Sequence, residues 1–131
     1  MKLSQQVIYQ VYPKSFYDSD GDGIGDLRGI IAKIPYLQQL NVDMIWFNPF
    51  FVSPQNDNGY DIADYYRIDP TFGTMSDFEE LVAQLKAVGI GVMLDMVFNP
   101  YLNGTRLVSK GARGRPEVPK VLLFAASPSG W

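Results

Sequence analysis

The sequence predicts an α/β fold built around a parallel sheet. Three short apolar runs, residues 7–12, 42–47 and 90–97, have the length and the β-branched and aromatic composition of buried strands. The two segments between them carry apolar residues at the spacing of amphipathic helices. This alternation implies right-handed crossovers, which occur both in open doubly wound sheets and in (β/α)8 barrels.

The first half of the pattern contains one strand, one loop and one helix. Residues 7–12 form the strand, which we expect to be buried on both faces because nearly all of its residues are apolar. An Asp- and Gly-rich loop, residues 18–26, follows it. Apolar side chains then recur at helical spacing over residues 27–40, which predicts one helix with Asp26 as its N-cap.

The second half repeats this order with a longer connection. A long loop, residues 48–73, follows the second strand. Thr74 and Asp77 have the spacing of a capping box, with Asp in the position that Glu usually takes. The helix that they begin is expected to end at Gly89, and the third strand follows at residues 90–97.

The composition excludes several kinds of chemistry. The 131 residues have the length of one ordinary domain, and the chain contains no histidine and no cysteine. Disulfides, thiol chemistry and imidazole or thiolate metal sites are therefore excluded, so that any catalysis must use carboxylates. The sequence shows no signal-peptide core, no apolar run of membrane-spanning length and no nucleotide-binding glycine motif. We expect a cytoplasmic protein without membrane contact.

The charge changes sign along the chain. Residues 1–99 carry 6 Lys and Arg against 13 Asp and Glu, whereas residues 100–131 carry 5 Lys and Arg against one Glu. A basic tail can bind nucleic acid, but this one lacks clustered lysines and interleaved aromatic residues. We therefore expect no nucleic-acid partner and interpret the tail as different in origin from the rest.

The loop at residues 18–26 has the composition of a cation site. Four carboxylates alternate with glycines within nine residues: Asp18, Asp20, Asp22 and Asp26. Hard cations such as Ca²⁺ prefer oxygen ligands on a flexible backbone, and Ile24 could add its carbonyl oxygen. The loop is no EF-hand, because its twelfth position is Gly29 instead of a bidentate Glu. The alternative is a solvated Asp/Gly turn without a ligand.

The long loop combines acceptors with an aromatic ring. Asp57, Tyr60 and Asp61 flank a glycine, and sugar sites use carboxylates for hydroxyl groups and a ring for the pyranose face. The same residues could form a simple turn. Asp95 is a carboxylate inside an apolar strand, which is costly unless it is paired, and this favours a role in supporting a site.

Five motifs in order resemble the opening of α-amylase-superfamily glycoside hydrolases, and specifically the oligo-1,6-glucosidase and trehalose-6-phosphate hydrolase group. The resemblance covers residues 7–99 almost without interruption. Its motifs are Val-Ile-Tyr-Gln-Val-Tyr-Pro-Lys-Ser-Phe from residue 7, Asp-Ser-Asp-Gly-Asp-Gly-Ile-Gly-Asp from residue 18, Ser-Pro-Gln-Asn-Asp-Asn-Gly-Tyr-Asp from residue 53, Phe-Gly-Thr from residue 72 and Asp-Met-Val-Phe-Asn from residue 95.

The resemblance implies a fold and a reaction. The fold is a (β/α)8 barrel of which this chain would hold the first three β/α units, residues 1–99, incompletely. The reaction is retaining hydrolysis of an α-glucosidic bond by two carboxylates, which in this family lie on later strands. The implied substrate is trehalose 6-phosphate or, alternatively, an isomaltose-type oligosaccharide. No protein partner is implied.

The resemblance also implies roles for the candidate residues. The four loop aspartates and the Ile24 carbonyl would hold a structural calcium ion. Tyr60 would stack under the non-reducing glucose, with Asp57 and Asp61 binding or supporting around it. Asp95 and Asn99 belong to the family's first conserved segment, whose next position should be histidine and is Pro100 here.

The departure at residue 100 suggests a frameshift. With suitable third bases, removing one base after the Asn99 codon converts the next residues into His-Thr-Ser-Thr-Glu-His-Asp-Trp-Phe-Gln, which is how the family continues. We therefore expect residues 100–131 to be a disordered, out-of-frame tail and the chain itself to be inactive. Two alternatives stay open: a natural small sugar-binding or structural module, and a divalent-cation-binding domain without carbohydrate function.

Overall fold

A computed structural model of the chain describes residues 3–95. After a 3-10 turn at Leu3–Gln5, the elements follow in this order: β1 (Ile8–Val11), α1 (Pro13–Phe16), α2 (Leu27–Ala32), α3 (Ile34–Gln39), β2 (Met44–Phe47), β3 (Phe51–Val52), β4 (Asp64–Ile68), α4 (Met75–Ala87) and β5 (Gly91–Leu94). Asn99 and the tail at residues 100–131 lie outside the described residues. No helix within residues 3–95 has both the length and the apolar character needed to cross a membrane.

The predicted parallel sheet is confirmed. β2 lies between β1 and β5 and pairs with both in parallel. Ile8 aligns with Met44 and Met44 with Gly91, so that the three strands begin and end level with one another. Their carboxyl ends therefore meet at one edge, which is where ligands bind in parallel α/β proteins.

The core lies between the sheet and the helices. Leu27 and Ile30 of α2 are fully buried, as are Leu81 and Leu85 of α4, so the apolar stripes predicted for both helices are their buried faces. Phe47 at the end of β2 is also fully buried, and its ring meets the Phe50 ring edge-on at 6.0 Å between centroids.

The predicted single helix over residues 27–40 is wrong, because the structure has two helices, α2 and α3, that meet at Lys33. Pro35 explains the break. Proline has no N–H to continue the α-helical ladder, and its ring collides with the carbonyl group four residues earlier. Lys33 consequently leaves helical geometry, with φ −98° and ψ 5°, and its N–H closes α2 on the Ile30 carbonyl.

The prediction that the first strand is buried on both faces is also wrong. Ile8 is 39% exposed and Gln10 is exposed, whereas only Val11 of β1 is buried. The exposure alternates along the strand: Tyr9 and Val11 pack on the core, whereas Ile8 and Gln10 point to the opposite face, which is left uncovered within residues 3–95.

The predicted loop at residues 48–73 contains an antiparallel pair, β3 and β4, which the sequence did not indicate. The register of β4 against β3 shifts between Phe51 and Val52, and two side chains of β4 are exposed. A strand of this kind lacks the regular alternation that identifies a strand from sequence.

The predicted capping box at the start of α4 is confirmed. Thr74 Oγ1 accepts from the Asp77 N–H (3.2 Å), and the Asp77 carboxylate accepts from the Thr74 N–H (2.8 Å). Arg28 of α2 adds an ion pair to Asp77, with 2.7 Å between Nε and Oδ1. The hydrogen bonds from Thr74, together with Arg28, hold the pKa of Asp77 below its usual value. One carboxylate thus caps α4 and joins it to α2.

Candidate functional site

Two polar residues stand directly beyond the carboxyl ends of neighbouring strands. Asn48 follows β2, and its N–H donates to the Val11 carbonyl at 3.0 Å. Asp95 follows β5, and its N–H donates to the Phe47 carbonyl at 2.9 Å. Each residue therefore continues the ladder of its strand by one step. The prediction that Asp95 lies inside the third strand is corrected by this placement, since β5 ends at Leu94.

Tyr60 joins these two residues through its hydroxyl group. The hydroxyl accepts a hydrogen bond from Asn48 Nδ2 at 2.6 Å and donates to Asp95 Oδ2 at 2.9 Å. Burial and the neighbouring Asp95 carboxylate both raise the pKa of the Tyr60 phenol. Asp95 therefore has a hydrogen-bond partner, and this partner is the aromatic residue of the long loop.

Asn48 is itself held by a third strand. Gln10 of β1 donates from Nε2 to Asn48 Oδ1 at 3.0 Å. Asn48 is buried, and both ends of its side-chain amide have hydrogen-bond partners, as is usual for buried polar groups. The network Gln10–Asn48–Tyr60–Asp95, called the hydroxyl network below, runs across the ends of β1, β2 and β5.

The other two predicted sugar-site residues differ from each other. Asp61 is buried and its carboxylate accepts from the Ser53 hydroxyl (2.6 Å) and the Asn56 N–H (2.8 Å). Asp57 is exposed in the turn, and its carbonyl accepts from the Tyr60 N–H at 2.9 Å. Asp61 is therefore placed to support the loop, whereas the side chain of Asp57 is open to solvent.

The acid stability of the chain should depend on Asp61. Burial would raise the pKa of this carboxyl, but the hydrogen bonds from Ser53 and Asn56 outweigh it and lower the pKa below the ordinary 3.8. Its contribution to the free energy of unfolding is therefore fully present above pH 3.8 and is lost as the pH falls through the lowered value.

We expect urea denaturation of Asp61→Asn to show less stability at neutral pH and a smaller further loss below pH 3.8 than the parent chain shows. Glu79→Gln, a change at an exposed position of α4, is the control and should follow the parent chain. An acid profile of Asp61→Asn that parallels the parent would contradict this assignment.

The Asp/Gly loop brings three of its four predicted carboxylates together. Oxygen atoms of Asp18, Asp20 and Asp22 all lie within 4.8 Å of one another. The Gly21 and Gly23 amides donate to Asp18 at 2.6 and 2.8 Å, and these bonds lower the pKa of its carboxyl. The three carboxylates thus lie close together and offer oxygen atoms of the kind that hard cations prefer as ligands.

Asp26 has different partners. It caps α2 by accepting from the Gly29 N–H (2.6 Å), and it accepts from the Ser19 N–H (2.8 Å). The predicted capping role is confirmed. Ile24 follows the three carboxylates, and its N–H donates to Asp22 (2.7 Å). Ligation by Asp26 or by the Ile24 carbonyl stays a prediction.

Gln10 and Asn48 are members of the hydroxyl network that sequence reasoning missed. A signal for Asn48 exists, because it is the first polar residue after a buried strand, at the edge where ligands bind. Gln10 gave a weaker signal, as a polar residue within an otherwise apolar and aromatic run.

Comparison with known proteins identifies the family. The profile described as alpha amylase, catalytic domain, matches residues 10–110. Trehalose-6-phosphate hydrolase of Escherichia coli is 63% identical over 93 residues, which are 71% of this chain and 17% of that protein. Oligo-1,6-glucosidase of Parageobacillus thermoglucosidasius is 53% identical over 95 residues, or 72% of this chain and 17% of that protein.

The solved structures agree. A crystal structure of a mutant Bacillus licheniformis trehalose-6-phosphate hydrolase in complex with PNG matches with a TM-score of 0.71 and 55% identity, over 72% of this chain and 17% of that one. The chain thus spans about 17% of the length of the curated relatives that it matches. Residues 3–95 have the fold of part of a (β/α)8 barrel and form an open sheet. The chain belongs to the α-amylase catalytic-domain family of glycoside hydrolases.

Proposed function

We propose that this chain is the N-terminal part of an enzyme that hydrolyses trehalose 6-phosphate to glucose and glucose 6-phosphate. The observation that carries the proposal is the 63% identity with E. coli trehalose-6-phosphate hydrolase. Hydrolysis of an isomaltose-type oligosaccharide is the second candidate. It is favoured by oligo-1,6-glucosidases that are 53–55% identical, about the same identity as the trehalose-6-phosphate hydrolase of Bacillus subtilis.

Within this proposal, Tyr60 presents its ring to the non-reducing glucosyl unit. The support is geometric: the hydroxyl network fixes the phenol at the edge of the sheet where parallel α/β proteins bind ligands. Asp57, exposed beside it, can accept hydrogen bonds from sugar hydroxyls. Asp61 supports the turn through its hydrogen bonds with Ser53 and Asn56, and Asp95 supports Tyr60. The family resemblance gives Asn99 the same supporting role.

No catalytic role is assigned to these carboxylates. A retaining glycosidase needs one carboxylate as nucleophile and a second as general acid. Asp61 and Asp95 are both engaged in hydrogen bonds that hold the loop and the Tyr60 ring. We therefore propose that the chain alone contributes to binding and does not cleave the substrate.

This function is tested by a chimera. Residues 1–95 would replace the matching segment of the E. coli trehalose-6-phosphate hydrolase, and hydrolysis of trehalose 6-phosphate and isomaltose would be measured. We expect the chimera to retain kcat/KM for trehalose 6-phosphate within about tenfold of the E. coli enzyme, because the exchanged segments are so similar. The 131-residue chain alone should show no turnover.

Two results would contradict the proposal. Hydrolysis of trehalose 6-phosphate by the purified 131-residue chain would show that a nucleophile and an acid are present in it. A chimera that folds and prefers isomaltose would favour the second candidate.

We also propose that the Asp/Gly loop binds a structural calcium ion. Asp18, Asp20 and Asp22 supply the first ligands, and a divalent cation would relieve the repulsion among three clustered charges. The loop leads directly to Asp26 and α2, so the ion would stabilise the entry to that helix without taking part in the reaction.

A further inference from the structure

We propose that Gln10 and Asn48 are positioning residues that orient the Tyr60 hydroxyl, with Gln10 supplying the donor that holds the carbonyl end of the Asn48 amide away from that hydroxyl. The inference rests on the proposed function for its consequence in sugar binding, since it concerns the ring that would contact the glucosyl unit. The hydrogen-bonding arrangement itself can be tested without any sugar.

The first step concerns the Asn48 amide. Its two ends differ, because Oδ1 only accepts and Nδ2 only donates. Gln10 Nε2 donates to Oδ1 at 3.0 Å, which leaves Nδ2 directed at Tyr60 at 2.6 Å. Asn48 is buried, so water cannot easily replace either partner. The Gln10 amide can present either of its ends, so the direction of the network is set by the Asp95 carboxylate, which accepts from the phenol at 2.9 Å, and Gln10 Nε2 supplies the donor that the Asn48 carbonyl then requires.

The second step concerns the single proton of the phenol. Because Asn48 already donates to the Tyr60 oxygen, the hydroxyl proton is directed to Asp95 Oδ2 at 2.9 Å. Each donor in the network then meets one acceptor. If the Asn48 amide were reversed, Tyr60 would face two acceptors with only one proton, and one of them would lose its partner. The ring position would no longer be determined by two hydrogen bonds.

The third step concerns where these residues sit. The Gln10 side chain belongs to an exposed residue on an edge strand, so it can be changed without opening the core. Asn48 and Asp95 are anchored by backbone bonds to Val11 and Phe47. The backbone of the network is thus fixed by the sheet, and the side-chain amide of Gln10 is its adjustable part.

The test compares Gln10→Glu with Gln10→Lys. Glutamate removes the donor to Asn48 Oδ1, whereas lysine replaces one donor by another. Gln38→Glu, at an exposed position of α3, controls for the change in the net charge of the chain. Each 131-residue chain would be labelled with 3-fluorotyrosine, and the ¹⁹F resonance of Tyr60 would be assigned by its absence in Tyr60→Phe.

We expect Gln10→Glu to shift the Tyr60 resonance in the absence of ligand, and Gln10→Lys and Gln38→Glu to leave it unchanged. Titration with methyl α-D-glucopyranoside should then show binding weakened by about fivefold in Gln10→Glu alone, the size expected from one hydrogen bond. An unchanged Tyr60 resonance in Gln10→Glu would overturn the inference. An equal disturbance by Gln10→Lys would also overturn it, because loss of the side chain instead of loss of the donor would then be the cause.

The two proposals fail separately. If the ligand-free resonance responds as expected but methyl α-D-glucopyranoside shifts no Tyr60 signal in any chain, the positioning is supported and the sugar-binding role of Tyr60 is overturned.

Discussion

Phe47→Ala is expected to unfold the chain. The Phe47 ring is fully buried at the end of the central strand β2, where it packs edge-on against Phe50. Truncation of a buried phenylalanine costs about 3–5 kcal/mol, whereas small domains have free energies of unfolding of only about 5–15 kcal/mol. The core of residues 3–95 is small, so we expect its stability to lie at the low end of that range.

The measurement is urea denaturation followed by circular dichroism and tryptophan fluorescence, with Trp46 as a neighbouring probe. Tyr66→Ala is the control, because Tyr66 is 58% exposed and its truncation should change the free energy of unfolding by less than about 0.5 kcal/mol. A Phe47→Ala chain with the parent's urea midpoint would show that β2 is not the centre of the core.

Calcium is expected to raise the Tm of the chain, and Asp20→Asn is expected to remove most of that effect. Asp20 is the suitable position because its Oδ1 accepts only from the Asp22 N–H in the described loop, at 3.1 Å, and asparagine can keep that bond. The charge at the cation site falls by one without loss of the turn. Calcium affinity depends strongly on ligand charge, so we expect a loss of at least about tenfold.

Thermal unfolding at increasing calcium concentrations, with magnesium in parallel, measures this loss. Stabilisation by a bound ligand rises with its concentration relative to Kd, so the displacement of the curve gives the change in affinity. Glu79→Gln removes one negative charge from α4 and should respond to calcium as the parent does. If calcium raises the Tm of Asp20→Asn and of the parent equally, the loop is a solvated turn and not a calcium site.

The parts of the fold that the sequence predicts are those with local signals. The three strands are apolar runs, and the start of α4 is marked by Thr74 and Asp77 three residues apart. Pro35 is also a local signal, because an internal proline predicts a break, and it overrides the helical spacing of apolar residues over 27–40. β3 and β4 could not be found in this way, because their irregular pairing removes the alternation of side chains.

The candidate site likewise contains residues that a local sequence pattern predicts and residues that it does not. Two groups of residues are predictable because their members are close in sequence and chemically distinctive. One group is Asp57, Tyr60 and Asp61, and the other is the cluster of Asp18, Asp20 and Asp22. Gln10 and Asn48 lie 38 residues apart, and the local signal that each gives does not connect it with the other. Their relation arises only when β1 and β2 align, which no local pattern encodes.

The alignment of the strands also determines when the site can form during folding. The hydroxyl network draws on positions 10, 48, 60 and 95, and the Tyr60 contact with Asp95 closes a separation of 35 residues. Contacts of long separation require ordering of the intervening chain before they return any stabilisation. A slip of β5 by one residue would also turn Asp95 to the opposite face of the sheet. We therefore expect the bond between Tyr60 and Asp95 to form late in folding and to depend on the register, because Asp95 reaches Tyr60 only when β5 has docked correctly beside β2.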